Sequence, residues 1–196
     1  TLLPFIARTD RERRLVINAI APTWEGHQVW LITGGGALFA AWPFVYAISF
    51  SGFYLAMFVV LAALILRPVG FKYRSKLESP KWRSSWDWAL FVGGAVPALI
   101  FGVALGNVLQ GVPFSIDSTL RASYEGGLLG LLNPFGLLAG LVSVAMLVMH
   151  GAAYLGTKIE HGTVLDRAII VGRWAAIAMI ALYAAAGIWL ALGVAG

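Results

Sequence analysis

Glu25, His27 and Gln28 stand together in "APTWEGHQVWL", residues 21–31, flanked by Trp24 and Trp30 and followed by a long apolar run. A carboxylate at the threshold of such a run can take a proton from water and pass it inward through neighbouring polar groups. The positive end of a helix dipole favours the anion there. Gln28 follows Glu25 by three positions and shares its helix face, whereas His27 lies about 200° round the helix from Glu25 and faces elsewhere. Arg67, just before Pro68 at the end of a later apolar run, sits where a helix carbonyl end and the membrane interface both favour a cation. Glu25, Trp24, Gln28 and Arg67 are therefore the proton-path candidates. The two tryptophans also read as anchors of membrane depth or packing.

His27 and His150 are the two histidines inside apolar runs, and a pair of imidazoles on facing helices can hold a haem. Local hydrogen bonding or titration at the interface is the plainer reading of both. His161, in "KIEHGTVLDR", reads as solvated. Asn107 and Gln110, three apart in "GNVLQGVPF", either satisfy backbone or meet a partner, and Asp87 in "SWDWAL" reads as an acid favouring a helix start. Gly36 and Ala40 in "GGGALFAA" form a small-xxx-small pair suited to close helix packing. With no Cys there is neither a disulfide nor a thiolate metal site, and no P-loop, hydrolase triad or Cys/His metal cluster can be read. Any chemistry must come from a cofactor or a partner chain.

The elements that position these residues are membrane spans. The 196 residues are 60% hydrophobic and 12% charged, with a mean hydropathy of +0.83, far above what a soluble core needs. This predicts an all-α, polytopic transmembrane bundle. Residues 1–196 form a single transmembrane domain with spans near 27–47, 51–69, 87–109, 131–155 and 168–193, each about as long as the hydrocarbon is thick. "ISFSGF" at 48–53 divides the first two, and "TLLPFI" reads as the end of another span, so the chain reads as a fragment. A net charge of +5 raises nucleic acid as a partner, but thirteen of the fourteen Lys and Arg fall in segments 8–14, 67–83 and 158–173, between apolar runs. Alternate loops are basic, which sets those loops in the cytoplasm and excludes a nucleic-acid face. Arg121 alone lies in the long loop 110–130. Asn133 before Pro134 caps a helix, Pro43 and Pro97 predict kinks, and Trp82, Trp86 and Trp88 read as an interfacial belt.

"RERRLVINAIAPTWEGHQVWLITGGGALFAAWP", "FSGFY", "RPVGFKYRSK", "WDW", "GNVLQGVPF" and "LLNPFGLLAG" resemble, in this order and through nearly the whole chain, subunit II of cytochrome bd-type quinol oxidases. The resemblance implies a bacterial respiratory complex of the cytoplasmic (inner) membrane that oxidises quinol and reduces dioxygen, drawing protons from the cytoplasm. It implies haem b and haem d in the partner, subunit I, and none bound directly by this chain, whose own contacts are with subunit I and membrane lipid. It also implies that a longer chain supplies further spans. The position of Glu25 matches a proton-channel carboxylate, usually Asp in Trp-Asp-Gly-Asn; His27 stands where Asn is usual. Arg67 matches the Arg of Arg-Pro-Val-Gly-Phe, with a role in the polar interface. The competing readings are a secondary transporter with broken helices and a purely structural membrane scaffold.

Overall fold

A computed structural model describes residues 2–119, 122–160 and 162–193, with the side chains of Ala122 and Leu128 excepted; Arg121 and His161 lie outside the described residues. Among the described residues eight helices follow in order: α1 (Leu3–Ile6), α2 (Asp10–Ala41), α3 (Pro43–Gly52), α4 (Tyr54–Tyr73), α5 (Pro80–Gln110), α6 (Leu128–Leu131), α7 (Pro134–Lys158) and α8 (Thr163–Gly193). A small antiparallel hairpin, β1 (Phe114–Ile116) and β2 (Ala122–Tyr124), pairs Phe114 with Tyr124 inside the loop after α5. Four helices among the described residues, α4, α5, α7 and α8, are long and apolar enough to cross a membrane.

The helices begin earlier than apolarity alone indicates, for identifiable reasons. Thr9 and Glu12 form a capping box: Thr9 Oγ1 accepts from the Glu12 N–H at 3.3 Å, and the Glu12 carboxylate accepts from the Thr9 N–H at 3.1 Å. This starts α2 at Asp10, inside the segment expected to be a basic loop. Pro80 opens α5 at its first turn, where a missing N–H costs nothing. Asp87, expected at a helix start, consequently lies inside α5. Asn133 caps α7 as expected, its Oδ1 accepting from the Gly136 N–H at 2.6 Å.

The span expected over 27–47 is interrupted. Pro43 has no N–H, and its ring keeps Trp42 out of the helical region (φ −137°, ψ 68°), so α2 ends at Ala41 and α3 starts at Pro43. The expected division at 48–53 falls at its last residue, Phe53, between α3 and α4. Pro22, Pro68 and Pro97 lie within continuous helices. Arg67 is therefore well inside α4 rather than at its end.

Small residues bring α5 and α7 into close contact. A Cβ at Gly102 would lie 2.6 Å from the Ala139 carbonyl oxygen, and one at Gly106 would lie 2.7 Å from Ala139 Cβ and 3.0 Å from Gly136 Cα. These glycines, with Gly136 and Gly140 opposite, make two four-residue spacings facing each other. Gly36 has no atom within 4 Å of its Cβ direction, and Ala40 is exposed. At the other end of the bundle, Leu3, Ile6, Val16, Leu90, Leu155 and Val164 join α1, α2, α5, α7 and α8 in one buried cluster.

Candidate functional site

Helices α2, α4, α5 and α7, with Leu2 and Leu3, line a half-open cavity of about 450 Å³. Positions 24, 27, 28 and 31 of α2 all line it, the i, i+3, i+4, i+7 stripe of one broad helix face. Trp24, Gln28 and Arg67 are thus brought together, and so are His27 and His150. The cavity divides these residues differently from the expected grouping of Gln28 with Glu25: Gln28 stands about 100° from His27, and both line the cavity. Glu25 does not line it. It is exposed on α2, with no hydrogen bond or ion pair among the described residues.

Trp24 is buried, and its ring meets that of Phe71 edge-on at 5.7 Å. The Arg67 guanidinium lies 5.5 Å from the Trp24 ring centroid and 5.9 Å from that of Phe71, held by two cation–π contacts. Gly93 lets Arg67 through, since a Cβ there would come within 2.9 Å of Arg67 Cγ. Arg67 Nε is buried without a hydrogen-bond partner among the described residues, and Arg67 makes no ion pair there. The guanidinium is retained inside the bundle instead of reaching out along the interface. Thr23 and Tyr154 also line the cavity, their hydroxyls 3.3 Å apart.

Asn107 and Gln110 separate in role. Asn107 is buried in α5; its Nδ2 donates to the Val103 carbonyl at 2.8 Å and the Leu131 carbonyl at 2.7 Å, while its Oδ1 accepts from Asn133 Nδ2 at 2.8 Å. It ties the end of α5 to the cap of α7, so satisfying backbone is its observed work. Gln110 is exposed at the end of α5.

The charge cluster around Asp87 was not legible as such. Asp87 Oδ1 accepts from Arg74 Nε at 2.6 Å and Oδ2 from Arg13 Nη1 at 2.8 Å, with Arg74 and Asp87 side chains both 2% exposed. Arg74 Nη2 lies 2.9 Å from Asp10 Oδ1, and Arg83 Nη1 donates to Asp10 Oδ2 at 3.1 Å. Burial opposes ionisation of Asp10, but Arg74, Arg83 and Arg14 outweigh it and hold the carboxyl below its usual range. Burial likewise opposes the Arg74 charge, and the Asp87 and Asp10 carboxylates outweigh it and raise its pKa. A second joint ties α2 to α8: Glu12 accepts from Thr163 Oγ1 at 3.1 Å and pairs with Arg167 at 3.3 Å. The backbone N–H groups of Thr9 and Arg8, then Thr163 and Arg167, lower its pKa to about 2. The signal for the first cluster was Asp87 between two tryptophans at the edge of an apolar run, an acid that folding can bury only against a cation.

A haem on this chain is tested by its imidazoles. His27 and His150 line one cavity, but both are exposed and neither has a hydrogen-bond partner among the described residues. Ligating imidazoles are almost always oriented by such a partner. No group of three or more His, Cys, Asp or Glu suited to a metal occurs among the described residues.

Comparison with known proteins accounts for the whole chain. The family model for cytochrome bd terminal oxidase subunit II matches residues 1–195. The chain is 55% identical over 195 residues to the cytochrome bd-I ubiquinol oxidase subunit 2 of Escherichia coli (strain K12), covering 100% of this chain and 51% of that one. It is 56% identical over 189 residues to a probable cytochrome oxidase subunit 2 of Haemophilus influenzae, covering 96% and 50%. With the cytochrome bd ubiquinol oxidase subunit 2 of Bacillus subtilis it shares 35% over 151 residues, covering 77% and 44%. The chain spans about half the length of the curated relatives it matches. The apolar helices and the whole-length match together identify a multi-pass membrane protein, and the chain belongs to the cytochrome bd terminal oxidase subunit II family.

Proposed function

We propose that this chain serves as the non-haem-ligating subunit of a cytochrome bd-type quinol:oxygen oxidoreductase in the cytoplasmic membrane of a bacterium, where it supports assembly with subunit I. Haem b and haem d belong to that partner, and quinol is the substrate of the complex. The observation that carries this reading is identity of 55% along the entire chain with a ubiquinol oxidase subunit 2. The basic loops face the cytoplasm, which sets Glu25 and the cavity residues toward that side.

Glu25 is the entry carboxylate for cytoplasmic protons consumed at the oxygen-reducing site of the partner. Its exposure on α2, free of any partner among the described residues, leaves it available to water and to the partner's surface. Trp24, Gln28 and Arg67 stand behind it as the polar and aromatic wall of the adjoining cavity. Gly36 and Ala40, on the uncovered part of α2, pack against the partner; Gln110 lies at the opposite end, where it also meets a neighbouring chain.

The test is Glu25→Gln in the full-length complex at unchanged haem content. A proton-entry role predicts that quinol oxidase turnover and proton uptake fall about a hundredfold or more, the lower end for a lost proton-transferring group. Full turnover with unchanged uptake would remove Glu25 from the mechanism and leave the chain as a structural scaffold.

A further inference from the structure

Helix α2 divides its residues between two faces. Val16, Ile20, Trp24, Gln28 and Leu31 line the cavity. Arg11, Arg14, Asn18, Pro22 and Glu25 fall within an arc of about 80° on the other side, and all of them are exposed. Gly26, beside Glu25, has nothing within 4 Å of its Cβ direction. The stripe therefore runs open along α2, from the cations at the basic end to the carboxylate. On it, only Asn18 carries a polar side chain between Arg14 and Glu25, and its carboxamide makes no hydrogen bond among the described residues. The main chain adds a second polar group at the same point. Pro22 lies inside α2 and has no N–H, so the Asn18 carbonyl, four residues earlier, receives no bond from it. That carbonyl belongs to the exposed stripe, since positions four apart are neighbours on one helix face. A proline within a membrane helix is accommodated where water or a neighbouring group satisfies the freed carbonyl.

Two acceptor oxygens and an amide donor at one residue, two turns before an exposed carboxylate, make a water site. We infer that Asn18 is a positioning residue for proton entry: its carboxamide and its freed carbonyl hold the water that hands protons on to Glu25. The inference rests on the entry role proposed for Glu25. Seven residues separate the two, about 10 Å along the axis, a gap that the two side chains and a short file of waters bridge. Each water accepts one proton and releases another, and the Glu25 carboxylate receives the last. Asn18 gains and loses none, because its Oδ1 only accepts hydrogen bonds from the file and its Nδ2 only donates to it.

Asn18→Leu in the full-length complex removes the carboxamide at nearly constant volume on an exposed surface. Turnover at saturating quinol and proton uptake are expected to fall about tenfold, the worth of one hydrogen bond in the transfer step. The KM for quinol and the haem content stay unchanged, and the difference in rate between H2O and D2O grows. Asn18→Gln keeps the carboxamide and recovers most of the rate. Pro22→Ala tests the main-chain half independently: the restored N–H binds the Asn18 carbonyl, and turnover falls although the Asn18 side chain is untouched. The double variant Asn18→Leu with Glu25→Gln runs no slower than Glu25→Gln alone, as two steps of one route require. Unchanged turnover in Asn18→Leu or in Pro22→Ala, a fall that tracks lost haem, no recovery in Asn18→Gln, or additive losses in the double variant would each overturn the inference. Full turnover in Glu25→Gln would instead sink the entry role of Glu25, whereas normal turnover in Asn18→Leu beside a slow Glu25→Gln sinks only the water site.

Discussion

Replacing Asp87 with Asn tests whether the buried cluster holds the basic end of the bundle. The carboxylate accepts from Arg74 at 2.6 Å and from Arg13 at 2.8 Å, and both Asp87 and Arg74 side chains are 2% exposed. A carboxamide keeps the shape but removes the charge, and it can place an N–H against a guanidinium. Arg74 is then left buried with only Asp10, itself 38% exposed and shared with Arg83 and Arg14. Breaking a buried pair from one side costs about 3–5 kcal/mol. At roughly 2–4 °C per kcal/mol for a chain of this size, the melting temperature falls by about 6–20 °C. The assay is thermal unfolding of the detergent-solubilised, full-length protein followed by tryptophan fluorescence. The double change Asp87→Leu with Arg74→Met removes both buried charges and is expected to be less harmful than Asp87→Asn alone. A single variant that melts with the parent, or a double variant that loses the full sum of both singles, would show that the buried pair does not hold the helices together.

Three further outcomes follow from the same geometry. Asn107→Leu strips the Leu131 carbonyl and Asn133 Nδ2 of their partner and costs about 1–3 kcal/mol per group left unsatisfied, read as a lower melting temperature. Gly102→Val forces α5 and α7 apart where a Cβ would already lie 2.6 Å from the Ala139 carbonyl oxygen and destabilises by about 1–3 kcal/mol, whereas Gly36→Ala, in open space, leaves the chain's own melting unchanged. Acid loosens the joint between α2 and α8: Glu12 has a folded pKa near about 2 against an ordinary 4.5, so its contribution is fully present above 4.5 and is lost as pH falls from there toward 2. Hydrogen exchange at the start of α8 is expected to rise over that window.

The helical class and the apolar stretches were legible because a bilayer demands long runs of one chemistry. The helix starts were less so, since apolarity marks hydrocarbon and not the helix: α2 and α5 continue into basic segments on the strength of a Thr9–Glu12 capping box and a Pro80 at the first turn. The break at Trp42 was readable only as a kink at Pro43, because spacing does not say whether a proline bends a helix or ends it. Trp24, Gln28 and Arg67 were singled out from sequence and do meet at one cavity. Their convergence depends on α4 passing α2 at the right height, which no local pattern encodes. The Asp87 cluster joins residues more than seventy positions apart; in the sequence Asp87 reads as an acid favouring a helix start, with no sign of the cations that meet it. The glycines that pack α5 against α7 were hidden among many glycines, and only the facing helix distinguishes Gly102 from Gly36.

The proposed place of this chain is inside a haem-bearing quinol oxidase, without itself ligating haem. It is tested most directly by affinity purification through a tag on the full-length protein, recording the absorption spectrum of the isolated complex for the parent and for the double variant His27→Gln with His150→Gln. The expected result is a second membrane subunit, haem b and haem d bands, and quinol-dependent oxygen consumption, with the bands unchanged in the double variant. A colourless preparation without a second subunit, or haem bands that disappear with the two imidazoles, would contradict it.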